Sequence, residues 1–254
     1  MLNPIKLYFN YGRTALDFAL KQRGFKIDDE ILVPDYICSS VIKVIEKNLL
    51  KIKYYGTTKD LKPDWDNINM YLNKKTKLIL MVHFFGIPQD IKKFMKFSLD
   101  NNLILIEDNS HGFKGCYQNK TLGTFGDIGI SSPRKMFNLF GGILYTQSNE
   151  LNNESLKEYN LKKYNSLNNY QLHTSEILKL TKNKIRRYIK KRYPYENSEY
   201  FRNQEEEEKK IIIYDQSIEK SINKVNWEKY KIQKYRKIKK ILDILKQNNL
   251  EPIY

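Results

Sequence analysis

The chain has 254 residues, with 45 Lys and Arg against 29 Asp and Glu for a formal net charge of +16, three histidines and two cysteines. Its 41% hydrophobic content is enough for a sizeable core, and the length fits one large domain or a domain with a small appendage, which excludes a disordered or fibrous chain. Cys38 and Cys116 permit at most one disulfide and the histidines lack zinc-site spacing, so neither a cystine scaffold nor a metal centre is expected. The opening MLNPIKLYFNYG has no basic region followed by a long apolar stretch. The longest apolar runs, LILMVHFFGI and LILI, fall short of the roughly 20 residues that span a bilayer. A soluble, cytoplasmic protein without a membrane partner is the expectation.

The positive charge is uneven, with a net of +6 over residues 1–150 and +10 over 151–254. In the back part it is mostly Lys mixed with Asn, Glu and Tyr (KNKIRRYIKKRY, KYKIQKYRKIKK), which suits solvated helix faces as well as a polyanion groove. The solvated reading is preferred, because no helix-turn-helix, zinc finger or aromatic-basic motif accompanies the charge; a nucleic-acid partner is not expected.

In chain order, KLYFN predicts a strand and TALDFALKQRG a helix, with Ala15, Leu16, Phe18, Ala19 and Leu20 on one face and Gly24 at its end. EILVPDY, stopped by Pro34, is a second strand, SSVIKVIEKNL a second helix and LKIKYYG a third strand. A short helix is expected between Pro63 and Leu72. KLILMVHFF reads as a buried strand, PQDIKKFMKFSLDNN as a helix opened by Pro88, and LILIED as another buried strand. Continuous apolar strands alternating with helices imply a mostly parallel sheet covered on both faces, an α/β domain.

After Asp108 the texture changes. Seven glycines punctuate residues 112–146, which signals tight turns and close backbone approach. From Gln147 onward the chain is polar, helical in pattern and free of glycine. QEEEEKK predicts the first turns of a solvated helix. Residues 217–249 carry Ile222, Val225, Ile232, Tyr235, Ile238, Ile241, Leu242 and Leu245 at helical spacing, as expected of one long helix packed on the main domain.

Three segments carry candidate chemistry. LILIEDNSHGFKG delivers Glu107 and Asp108 to the carboxyl end of a buried strand, the edge at which open α/β sheets bind ligands, with His111 three positions on. Taken alone, a turn cap at Asp108 and a surface position for His111 are the preferred reading. GDIGISSPRKMFNLFGGILYT packs Ser131, Ser132, Arg134 and Lys135 between two strand-like segments. A lysine there is a candidate imine-forming nucleophile, or one more solvated cation. NYGRTALDFAL places Gly12, Arg13 and Thr14 at a helix start, where free N–H groups and the helix dipole favour a phosphate.

In this order the segments resemble the DegT/StrS family of pyridoxal-phosphate-dependent sugar aminotransferases, within the fold type I superfamily. EILVPDYICSSV is similar to the family's D-E-V-x-x-P strand and helix, VHFFGIPQDI to its V-H-x-x-G-x-x-x-D strand end, and IEDNSHGFKG to its E-D-x-x-Q/H motif. GTFGDIGISSPRK resembles the G-x-x-G-D-x-x-x-x-S segment, in the form that ends S-x-R-K. The resemblance covers residues 7–146 and returns faintly around 217–250.

The resemblance implies a three-layer α/β/α domain with a mainly parallel seven-stranded sheet and a helical C-terminal extension. It also implies roles. Lys135 would bind pyridoxal 5′-phosphate as an imine and shuttle the substrate proton, Asp108 would pair with the pyridine nitrogen, and His111 would meet the ring's phenolic oxygen or its face. Gly12, Arg13, Thr14 and Ser132 would gather the phosphate, with Ser131 an alternative. Tyr36 is the nearest ring-stacking candidate, although Cys38 stands about where many members place the aromatic. His83 reads as a satisfied structural histidine.

The implied reaction takes an amino group from an amino-acid donor, glutamate by expectation, to a keto-sugar that is nucleotide-linked, in a homodimer. Residues 1–146 form the expected cofactor-binding domain. Residues 147–254 are the extension and the start of an incomplete small domain, as of a C-terminally shortened chain. The alternative is a catalytically inactive homologue that acts only by association.

Overall fold

The computed structural model describes residues 4–136, 141–146, 213–214 and 217–248. They fall into two compact units, Met1–Ile218 and Glu219–Tyr254. In the first, β1 (Ile5–Phe9), α1 (Gly12–Gln22), β2 (Glu30–Pro34), α2 (Ser39–Lys47), β3 (Lys51–Tyr55), β4 (Thr76–Val82), α3 (Ile91–Asp100) and β5 (Ile104–Asn109) follow the expected alternation. A two-stranded ribbon, β6 (Cys116–Tyr117) with β7 (Lys120–Thr121), precedes β8 (Ile128–Ser131) and β9 (Gly142–Thr146), and β10 (Ile213–Tyr214) returns much later.

The main sheet has eight strands in the order β10-β1-β9-β8-β5-β4-β2-β3. Its centre is parallel, through β3–β2, β2–β4, β4–β5 and β5–β8, while β8–β9, β9–β1 and β1–β10 are antiparallel. The mainly parallel α/β sheet is therefore present, with eight strands in place of the expected seven. The added strand pairs Tyr214 with Tyr8 and Ile213 with Phe9, so a segment expected in the extension completes the edge of the large sheet.

Strand alternation divides the core between two layers. Ile31, Val33, Leu78, Leu80, Val82, Ile106, Ile130 and Leu144 point to one face and pack with Ala15, Leu16, Phe18 and Leu20 of α1 and Val44 and Ile45 of α2. Leu32, Ile79, Met81 and Leu105 point to the other and pack with Ile91 and Phe94 of α3. Each buried Val, Leu, Ile, Met or Phe among them contributes about 1.5–3 kcal/mol against exposure, which commits the strands to one register.

Local departures have local causes. Between Pro63 and Leu72 only a 3₁₀ turn forms, over Ile68–Tyr71. The helix after Pro88 begins at Ile91, because the Gln89 N–H is donated to His83 Nδ1 at 3.1 Å and its side-chain amide to the Leu61 carbonyl at 2.8 Å. In place of one long helix there are two, α4 (Ser217–Asn223) and α5 (Trp227–Gln247). The break falls where Asn226 caps the second, its side chain accepting the Lys229 N–H at 2.9 Å. The QEEEEKK and KNKIRRYIKKRY segments lie outside the described residues.

Candidate active site

At the carboxyl ends of β4, β5 and β8, a cavity of about 250 Å³ opens beside the N-terminus of α1. The turn into α1 is built by Thr14, whose hydroxyl accepts the Tyr11 N–H at 3.1 Å and stands 2.7 Å from Asn10 Oδ1 and 2.8 Å from the Tyr11 carbonyl. Gly142 of β9 crosses this turn so closely that a Cβ would overlap the Tyr11 carbonyl and the Gly12 nitrogen. The first N–H groups of α1 consequently face the cavity with Gly12 and Arg13 at its wall.

Asp108 reaches the cavity from the end of β5, and its carboxylate accepts the Ser110 N–H at 2.8 Å. Register explains why it does and Glu107 does not: Asp108 stands beside Ile130 of β8, and both face α1, whereas Glu107 points to the opposite layer. There Glu107 is fully buried. One carboxylate oxygen meets His83 Nε2 at 2.9 Å and the Gly123 N–H at 2.6 Å, and the other accepts the N–H groups of Phe125 at 2.6 Å and Gly126 at 3.0 Å. Asp127 adds a bond to the Leu105 N–H at 2.8 Å. The GTFGD motif thus ties to β5 the loop that feeds β8.

Beyond β8 the chain turns through Pro133–Lys135, with the Lys135 N–H donated to the Ser132 carbonyl at 3.1 Å. Lys135 lines the cavity with Asp108, His111, Gly12, Arg13, Ser132, Tyr36 and Cys38. Burial, reinforced by the Lys135 charge, holds the His111 imidazole below its ordinary value against the opposing pull of Asp108. Hydrogen bonds from Ser40, side chain first and then backbone, lower the Cys38 thiol against a smaller opposing effect of partial desolvation, and Lys135 adds to the lowering.

Two residues expected at the phosphate do not line the cavity. Ser131 is fully buried on the opposite sheet face, with Asn109 Nδ2 3.4 Å from its hydroxyl, because β8 alternation sends Ile130 and Ser132 toward α1 and Ser131 away. Thr14 is also buried, its hydroxyl occupied in the turn that presents Gly12 and Arg13. Tyr36, 58% exposed, leans on Phe84 with ring centroids 5.8 Å apart, and Cys38 shares the same wall, so both ring-face candidates are at the cavity. His83 is buried beneath it.

Arg134 and Ser110 are cavity residues with no role assigned from sequence. The guanidinium groups of Arg13 and Arg134 lie 4.5 and 5.1 Å from the Tyr11 ring centroid. The signal for Arg134 was its place next to Lys135 in the SPRK segment; nothing local marks Ser110. No group of three His, Cys, Asp or Glu suited to a metal occurs among the described residues, nor any helix long and apolar enough to cross a membrane.

The donor set fits pyridoxal 5′-phosphate. It offers an amine for the aldehyde, a carboxylate for a ring nitrogen, and a hydroxyl, a guanidinium and helix N–H groups for a phosphate. The Cβ missing at Gly12 would stand 3.6 Å from both the Ser110 hydroxyl and Ser132 Cβ.

The fold and the place of this cavity define a fold type I transferase domain. A solved GDP-4-keto-6-deoxy-D-mannose-3-dehydratase of E. coli with bound hydrated PLP superposes with a TM-score of 0.52 at 25% identity, over 57% of this chain and 40% of that one. The aminotransferase TlmJ from Streptoalloteichus hindustanus shares the fold with a TM-score of 0.53 at 19% identity, over 57% and 41%. The chain belongs to the DegT/DnrJ/EryC1/StrS aminotransferase family, whose model matches residues 6–185. It is 35% identical over 132 residues to the GDP-perosamine synthase of Escherichia coli O157:H7, covering 48% of this chain and 34% of that protein. It is 28% identical over 138 residues to the GDP-4-keto-6-deoxy-D-mannose 3-dehydratase of Yersinia pseudotuberculosis, covering 53% and 35%. The chain spans about a third of the length of these curated relatives.

Proposed function

We propose that this chain binds pyridoxal 5′-phosphate in the cavity beside α1 and takes part in moving an amino group from glutamate to a nucleotide-linked keto-sugar. The observation that carries the reading is the convergence of Lys135, Asp108 and His111 on one cavity whose wall is Gly12, Arg13 and Ser132. The named activities of the matched relatives, a GDP-perosamine synthase and a GDP-4-keto-6-deoxy-D-mannose 3-dehydratase, support a sugar-nucleotide substrate. A homodimer in the cytoplasm belongs to the same reading.

When bound, the cofactor supplies an electron sink and the carbonyl that carries the amino group. The residues do the rest. Arg13, Ser132 and the α1 N–H groups would bind the phosphate, Asp108 would hold a proton on the ring nitrogen, and His111 would orient the ring through its phenolic oxygen or its face. Lys135 Nζ moves the proton at the donor Cα.

The test is an absorption spectrum of the purified chain with pyridoxal phosphate, beside Lys135→Ala. A visible band that borohydride removes in the wild type, and that the variant lacks, is the expected result. A folded wild-type chain with no such band overturns the reading. Glutamate should then bleach the band, and product analysis with GDP-keto-sugars separates amination from dehydration.

A further inference from the structure

Phe85 has φ 55° and ψ 13°, a left-handed conformation that is uncommon for a bulky residue. Burial of its ring does not explain it, since the side chain is 69% exposed. What the conformation does achieve is a direction. The Phe85 N–H is donated to His111 Nδ1 at 3.3 Å, and the two rings lie nearly parallel, 13° apart with centroids 6.1 Å distant.

The turn is anchored on both sides. Beneath it, His83 donates its main-chain N–H to the Asp108 carbonyl at 3.0 Å, accepts the Gln89 N–H on Nδ1 and presents Nε2 to Glu107. Above it, the backbone of Gly86 touches that of His111 and Gly112: a Cβ on Gly86, itself at φ +84°, would stand 2.9 Å from Gly112 Cα. Surroundings that over-determine a strained residue beside a site are the usual mark of a strain with a purpose.

We propose that the left-handed turn at Phe85 is a positioning device that fixes the tautomer of His111, holding Nδ1 as an acceptor so that Nε2–H is the donor offered to the cavity. Its value to the reaction rests on the cofactor reading above, in which a ligand oxygen receives that donor. No other described residue bonds to His111. The charged groups that face the imidazole, Lys135 and Asp108, act on it through their charge, and among the described residues neither makes a hydrogen bond to it that would choose between its nitrogens. The Phe85 N–H does, because protonating Nδ1 sets a proton against a donor.

The test uses the cofactor-free full chain, selectively labelled at its three histidines, with ring-nitrogen NMR and His111 identified through His111→Asn. Wild type should show His111 with its proton on Nε2. Phe85→Gly removes the ring but accepts a positive φ, and should keep the tautomer, so that it serves as the reference for loss of the stacked ring alone. Phe85→Val, whose branched side chain disfavours the left-handed region, should release Nδ1 and raise the midpoint by about 0.5–1 pH unit, the shift matching one lost hydrogen bond. His83, held by Gln89 and Glu107, reports in the same spectra that the fold is intact. Phe85→Ala gives the same comparison should the valine chain not fold. A wild-type proton on Nδ1, or glycine and valine chains that titrate alike, overturns the proposal. A fixed tautomer in a chain that forms no band with pyridoxal phosphate would instead remove the cofactor reading and leave the role of the turn standing.

Discussion

His83 Nε2 stands 2.9 Å from Glu107 Oε1, and solvent reaches neither side chain. Because His83 Nδ1 accepts the Gln89 N–H, the ring proton is on Nε2 and is donated to a carboxylate that also collects three backbone N–H groups. The pair joins the end of β4, the end of β5 and the loop before β8, the three segments that carry the turn over His111, Asp108 and Lys135.

Removing that carboxylate leaves a buried ring N–H and three backbone amides, one buried and two part-buried, without that acceptor. Glu107→Ala should lower stability by on the order of 3–5 kcal/mol, seen as a fall in the denaturant midpoint. Glu107→Gln should remain clearly destabilised, because its amide N–H₂ faces donors. A loss within about 0.5 kcal/mol for both would show that the loop is held by other means.

Gly142 is required by the approach of β9 to the Tyr11–Gly12 turn. Gly142→Ala should cost about 1–3 kcal/mol through overpacking and should weaken pyridoxal phosphate binding, since the displaced turn presents the helix N–H groups. Unchanged binding in equilibrium dialysis would separate this turn from the phosphate.

Thr14 and Ser132 should part company on mutation. Thr14→Val removes the hydroxyl that holds the turn and should cost about 1 kcal/mol in thermal unfolding. Ser132→Ala should leave stability nearly unchanged and weaken cofactor binding about tenfold or more, as expected for a hydrogen bond to a charged group. The reverse pattern would return the phosphate role to Thr14.

His111 titrates below its ordinary value in the folded chain, first through burial and then through Lys135. The unfolded chain therefore takes up this proton first as pH falls. The stability in question is complete above about pH 6.5, the ordinary histidine value, and is lost as pH drops from there through the lower folded value. His111→Asn should flatten that part of the profile of unfolding free energy against pH, and a profile of unchanged slope would refute the assignment.

The sequence by itself determined the alternation of strands and helices, and with it the mainly parallel sheet and the short motifs whose residues are expected at its carboxyl edge. Apolar strands of four to seven residues between amphipathic helices have few ways to bury their faces, and short motifs such as SPRK and EDNSH are local in the chain. Only the tertiary structure decided which of those residues share a cavity. Ser131 and Ser132 are neighbours in sequence, yet the pairing of β8 with β5 sends one into the core and the other to the site. Thr14 is expected among the phosphate groups, and only the structure shows its hydroxyl bonded within the turn before α1. Tyr214 joins the sheet beside Tyr8, 206 residues away, and Phe85 meets His111 across a gap in sequence that no local pattern spans. Register and long-range contact follow from which faces are buried together, a property of the whole chain and not of any window within it.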